Sequence, residues 1–475
     1  MQTKNLKLYL PVALGIAVLA MVSANPLLSL GSLLLLLLLM VMLWRPGEPP
    51  ALLYAMGYHW IQASILVIYA NVEGRGLDML GYGNEIERAT WLTLAGVFMV
   101  ALGMRAGAGA NYGGVAQASV SAIASQLSVR KLFVASLIAI VAATVVSRLA
   151  YMVPGLVQPI LAVTLLRWVV VYLFTYAVLT QHQGYRYLAV VFTIEIMIGL
   201  LGFFSDFKTV LIVMLLAALT SPGALRGMRF RTAGALTVVI LALGIVWTGV
   251  KTDYREFLNQ GTGQQVVLVP ITERIGKLAE LVGDMTPARF GDAMVDLVER
   301  VTYVYYFGQA IETVPRYVAH EGGLLWRQAV AGALVPRLLN PAKRVIDDSE
   351  RTSTYTGNRV AGAEEGTSIS LGYVAESYID FGPVAMMVPL FLWGLFVGSL
   401  YRLLIRSTRY PLFGYGCAAV LVALGASVLE QSNLKMVSAF LLSFLVLYLA
   451  QKLAARRGLQ LLATPRYPLR PDAAT

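Results

Sequence analysis

Apolar residues in this chain fall in blocks of about 16–24, the length a helix needs to cross roughly 30 Å of hydrocarbon at 1.5 Å per residue. Twelve such blocks are readable, at about 8–22, 27–44, 51–70, 89–104, 132–152, 158–181, 188–203, 209–220, 233–250, 383–403, 411–429 and 436–453. Only 13% of the 475 residues are charged, against 58% apolar, where soluble domains carry about 25% charged residues. A soluble enzyme, a disordered chain and a disulfide scaffold are thereby excluded. Cys417 is the single cysteine and lies inside an apolar block, so it supports neither a disulfide framework nor a cysteine metal site. His59, His182 and His320 share no ligand spacing. The expectation is an all-α polytopic membrane protein with about twelve transmembrane helices.

Orientation follows from lysine and arginine placement. With the N-terminus in the cytoplasm, inside segments hold eighteen Lys/Arg and the short outside segments five: Arg75, Arg88, Arg148, Lys208 and Lys435. Both termini are therefore expected in the cytoplasm. The net charge of +11 is a topology signal that calls for no nucleic acid. Val22-Ser23-Ala24 resembles a cleavage site, but another apolar run follows within five residues, which favours an uncleaved first helix.

Residues 251–382 break the pattern. This outer insert mixes seventeen Asp/Glu with thirteen Lys/Arg, and loops of such length are uncommon without a function. It divides the chain into helices one to nine (1–250), a large periplasmic loop (251–382), and three last helices with a cytoplasmic tail (383–475). Thr286-Pro287 is a capped helix start. Phe290, Met294, Leu297, Val301, Val304 and Tyr305 then recur at helical spacing up to Pro315. A second helix is expected at about 368–381, entering span ten through Phe381-Gly382-Pro383. The stretch Gly107–Gly114 reads as a flexible loop before an interfacial helix, without a dinucleotide fingerprint.

Two charges lie well inside apolar sequence, Arg167 in span six and Glu195 in span seven. Each is nine positions from its helix's outer end, which places both about 13 Å below the surface. They can bridge neighbouring helices or line a polar cavity. Lys208, in the hairpin between spans seven and eight, can meet a lipid phosphate or snorkel to headgroups.

Arg337, Lys343, Arg344, Arg351 and Arg359 fall within 23 residues of the insert. Such forks and point charges suit a diphosphate, while Asp347, Asp348 and Glu350 nearby would make the same run a self-paired surface or, less specifically, a metal cluster. The order of motifs adds to this. Glu299-Arg300-Val301-Thr302-Tyr303 precedes Thr313-Val314-Pro315, then Val335-Pro336-Arg337-Leu338-Leu339-Asn340-Pro341-Ala342-Lys343 and Gly366-Thr367-Ser368-Ile369. Ala375-Glu376-Ser377-Tyr378-Ile379-Asp380-Phe381-Gly382 closes the insert. Over residues 299–382, and in its layout of spans, the chain is similar to the Wzy-type O-antigen and exopolysaccharide polymerases; O-antigen ligases share the general architecture.

That resemblance implies a glycosyltransferase-C-like membrane fold and a metal-independent glycosyltransferase without a cofactor. Its donor and acceptor would be polyprenyl-diphosphate-linked oligosaccharides at the periplasmic face of the bacterial inner membrane. Membrane lipids and a chain-length regulator are the other expected partners. Arg337 and Lys343 match the family-like motif and would hold the diphosphate, followed by Arg300 and Arg344. Asp296, four positions before Arg300, offers that residue an ordinary surface pair instead. Glu376 is the first candidate base, with Asp380 one turn on to raise its pKa; the alternative is a carboxylate paired with a nearby arginine. His320 is the second candidate base, in the manner of the ligases. A ligase moving finished glycan to lipid A–core, and a transporter or flippase of lipid-linked sugars, are the competing functions.

Overall fold

A computed structural model describes residues 15–464 except 112, 151, 154–155, 204–205, 223–227, 265, 336–346, 363–366, 409 and 454. Among the described residues the chain is helical, with no strand beyond one isolated bridge between Leu127 and Ala463. The first part runs through α1 (Pro26–Leu43), α2 (Ala51–Val72), α3 (Ile86–Ala108), α4 (Gly113–Gln126) and α5 (Val129–Ala150). It continues with α6 (Val157–Val163), α7 (Leu165–Gln181), α8 (Tyr185–Leu201), α9 (Phe207–Thr220) and α10 (Met228–Asn259). The insert contributes α11 (Ile271–Gly283), α12 (Pro287–Val301), α13 (Val304–Thr313), α14 (Leu324–Leu334), α15 (Asp348–Thr356) and α16 (Tyr373–Ala385). The chain closes with α17 (Met387–Arg406), α18 (Pro411–Gly425), α19 (Asn433–Leu453) and α20 (Ala455–Leu462).

Among the described residues seven stretches are long and apolar enough to cross a membrane: α1, α2, α3, α5, α6 with α7 as one run, α17 and α19. The other expected spans differ. α9 and α18 are apolar but shorter, α8 has 17 residues, and nearly half of the first block, 8–14, lies outside the described residues. In α18 every residue from Gly414 to Ala423 is buried. A helix enclosed on all sides is apolar all round whatever its length, so hydropathy alone overstates how far it reaches.

α3 and α17 run in the same direction and meet backbone to backbone. A Cβ on Gly394 would fall against the Val100 carbonyl, one on Gly398 against that of Met104, and one on Gly103 against that of Phe391. Gly103-x-x-x-Gly107 thus faces Gly394-x-x-x-Gly398, the small-residue spacing that lets membrane helices approach closely. Gly107 therefore belongs to this seam and not to the expected flexible loop. The segment after it is held by Arg45, which donates through Nη1 to Gly109 O (2.9 Å) and through Nη2 to Ala110 O (2.9 Å). Buried Glu48 neutralises Arg45 at 2.6 Å. An arginine at a helix C-terminus satisfies carbonyls that lack intrahelical donors.

In the insert, Thr286 caps α12 by accepting from Arg289 N at 3.2 Å, as Thr-Pro predicts. The run expected to continue to Pro315 instead breaks at Thr302, whose backbone is extended (φ −76°, ψ 102°). The break lets Val298 on α12 and Phe307 and Ile311 on α13 all be buried, which one straight axis need not allow. The second expected helix starts later, at Tyr373, because Gly372 takes φ +87° beneath the Leu429 carbonyl. It kinks at Gly382 (φ 75°) before Pro383, where proline cannot donate.

Candidate functional site

The site is built where α14, α15 and α16 of the insert meet the start of α19. Glu376, on the first turn of α16, is 1% exposed. Its Oε1 accepts from Arg351 Nη1 at 3.1 Å, and its Oε2 accepts from the Asn433 amide at 2.8 Å. Arg351 also donates through Nη2 to Gln328 Oε1 at 2.9 Å. Next to this pair, buried Asp348 meets Lys435 Nζ at 2.8 Å and accepts from Ser432 Oγ at 3.1 Å. Burial pushes the Glu376 carboxyl up to about 7 against the opposing pull of Arg351, and Asp348 adds a smaller upward push. The carboxylate is paired with an arginine, and both of its oxygens are engaged.

Asp380 does not press on Glu376 as expected. Its two oxygens accept from Leu325 N (3.0 Å) and Trp326 N (2.9 Å), so it tethers the free amides at the start of α14. Asp348 is the neighbouring carboxylate in its place. His320 is half-buried; Nδ1 donates to Ile379 O at 3.1 Å, and the ring packs edge-on against Tyr378 at 5.5 Å. Asp347 caps α15 by accepting from Ser349 N at 2.8 Å, while Asp348 belongs to Lys435. Among the described residues no three of His, Cys, Asp and Glu converge as a metal site.

Arg337, Lys343 and Arg344 lie outside the described residues. Arg300 is exposed on α12, which packs along α10. On the extension of α10 stand Lys251 and Arg255. Burial, then the Arg300 charge, hold both below their usual ranges. Asp296, the expected partner of Arg300, lies within reach of Lys251 and draws it upward. Arg255 Nε donates to Phe203 O at 3.1 Å and Arg274 Nη1 to Leu201 O at 3.0 Å. Three cations from two helices are thus gathered beside the α8–α9 hairpin.

Below that hairpin Arg167 and Glu195 stand 3.5 Å apart, matching their equal depths in sequence. The contact is charge against charge: Arg167 Nε and Glu195 Oε1 have no hydrogen-bond partner, and the guanidinium lies 4.2 Å from the Trp168 ring centroid. Lys208 is exposed on the first turn of α9, within electrostatic reach of Asp206.

Lys251, Arg255, Asn433 and Lys435 were not readable as site residues. The first two look like the ordinary basic end of a span. The others look like an outer turn, and their partners are distant in sequence. Residues 114–459 match the model of a family described as a domain of unknown function, DUF8712. The chain belongs to that family. The match covers the hairpin, the insert and the closing helices, and so every residue of the site described above. No curated protein and no solved structure matches the chain.

Proposed function

We propose that the protein is a glycosyltransferase that polymerises polyprenyl-diphosphate-linked oligosaccharide repeat units at the periplasmic face of the bacterial inner membrane. The twelve spans, the cytoplasmic termini, the glycosyltransferase-C-like frame and metal independence belong to this reading. The motif order from Glu299 to Gly382 supports it. The observation that carries it is the gathering of Lys251, Arg255 and Arg300 at the insert. Cations that repel one another on rigid helices are a ready site for a polyanion, whose binding relieves the repulsion.

The acceptor hydroxyl attacks the anomeric carbon. A C–O bond forms there as the sugar–phosphate C–O bond breaks, and the electron pair leaves on the diphosphate. Fixed cations stabilise that developing charge. Glu376 serves by holding Arg351, since its own oxygens are occupied.

Purified protein given a lipid-linked repeat unit should produce a ladder of products. Transfer to lipid A–core alone would make it a ligase, and no product from either would overturn the enzyme reading. Arg300→Ala should slow ladder formation by about a hundredfold if the residue stabilises the leaving diphosphate. Its melting temperature should not fall, because the side chain is exposed and its removal relieves repulsion from Lys251 and Arg255.

A further inference from the structure

Glu430 lies in the connection between α18 and α19, which sequence patterning treats as an outer turn. In the fold it reaches the middle of a spanning helix. Gln62, near the midpoint of the 22-residue α2, donates its side-chain amide to a Glu430 carboxylate oxygen and accepts from the Leu429 amide at 2.9 Å. Half of such a helix is about 16 Å long, so this carboxylate sits deep in the bundle. Among the described residues the fully buried carboxylates each face a cation or backbone amides. Glu48 has Arg45, Glu195 has Arg167, Glu376 has Arg351 and Asp348 has Lys435, while Asp380 has two backbone amides.

Glu430 is half-buried and forms no ion pair among the described residues. An ionisable group at such depth that pairs with no described cation calls for water or a ligand before it. Tyr58, one turn from Gln62, and Tyr303, at the α12–α13 break, both feel its charge. Tyr303 also lines a small cavity with Thr93, Phe307, Leu371 and Leu429. From the other side Arg300 reaches Tyr58. A carboxylate that accepts hydrogen bonds, with two tyrosines within range of its charge, suits a polyhydroxylated ring: hydroxyls donate to the acid and C–H faces pack on the aromatics.

We propose that Glu430, Tyr58 and Tyr303 form the acceptor-sugar site, with Glu430 as the general base. This rests on the glycosyl-transfer reading above. The attacking hydroxyl gives its proton to a Glu430 oxygen while its oxygen bonds the anomeric carbon, and the diphosphate departs with the electron pair of the broken bond. The proton passes to water afterwards. Gln62 is a positioning residue that holds the carboxylate in place.

The test is single-turnover ladder extension by the purified full chain with a lipid-linked repeat unit. Failure of the wild type would remove the glycosyl-transfer reading itself. With an active wild type, Glu430→Gln should slow the step by about 10²–10⁴-fold and abolish the acid limb of the pH–rate profile. Melting should be unchanged, because a glutamine oxygen still accepts from Gln62. Tyr58→Ala should raise KM for the acceptor more than it lowers kcat. A Glu430→Gln rate within about threefold of wild type overturns the proposal, as does a slower rate that keeps the acid limb. If that variant does not fold, an unchanged acceptor KM in Tyr58→Ala overturns the site.

Discussion

Arg351→Ala should destabilise the protein by about 3–5 kcal/mol, because removing one partner of a buried ion pair leaves the other charge uncompensated. Glu376 keeps only the Asn433 amide in that variant, and it stays beside Asp348. Adding Glu376→Gln removes the stranded charge, so the double variant should melt above Arg351→Ala. Melting in detergent micelles checks this, and a double variant no better than the single one would contradict the pairing. A pH dependence goes with it. The Glu376 carboxyl is raised from its ordinary 4.5 to about 7, so the folded state holds its proton more tightly than the unfolded chain. Its contribution to stability is full below about 4.5 and is lost as pH rises toward 7. Wild-type melting should therefore fall more steeply across that window than melting of Glu376→Gln. Equal slopes would exclude Glu376 as the titrating group.

Gly394→Ala should lower stability by about 1–3 kcal/mol, the cost of overpacking a tight contact, although alanine is the better helix former by about 1 kcal/mol. The added methyl meets the Val100 carbonyl, a backbone atom that cannot rotate away. Gly57→Ala on α2 is the control, since nothing lies within 4 Å of its Cβ position; it should be neutral or slightly stabilising. Opposite signs for the two variants, measured by the same melting assay, establish the seam. A neutral Gly394→Ala would mean that α3 and α17 can separate without loss.

Local chemistry was readable where partners lie close in sequence or where depth can be counted. Thr286-Pro287 marks the start of α12, Gly382-Pro383 marks the elbow before α17, and equal distances from the helix ends bring Arg167 to Glu195. Contacts between distant segments left no such trace. Gln62 and Glu430 are 368 positions apart, and nothing in a period of 3.6 residues announces that the turn between α18 and α19 folds back to the middle of α2. Asn433 and Glu376 are 57 apart, and the amide that meets the carboxylate belongs to the backbone, which every residue has. The glycine pairs were visible as letters, but their facing partners are nearly three hundred residues away. The short α18 marks the opposite limit: hydropathy records burial and cannot distinguish protein from lipid as the surrounding medium.

The α3–α17 seam joins parts of the polypeptide that are synthesised at different times. α3 ends at Ala108 and α17 begins at Met387, so at roughly 5–20 residues per second the ribosome delivers them roughly 15–55 s apart. Through that interval the bare groove at Gly103 and Gly107 faces acyl chains or an insertion chaperone, and the closing helix arrives only after the whole insert has been synthesised. Chains stopped before α17 would carry well-formed early helices with no means of locking them together, which makes such fragments natural prey for membrane proteases.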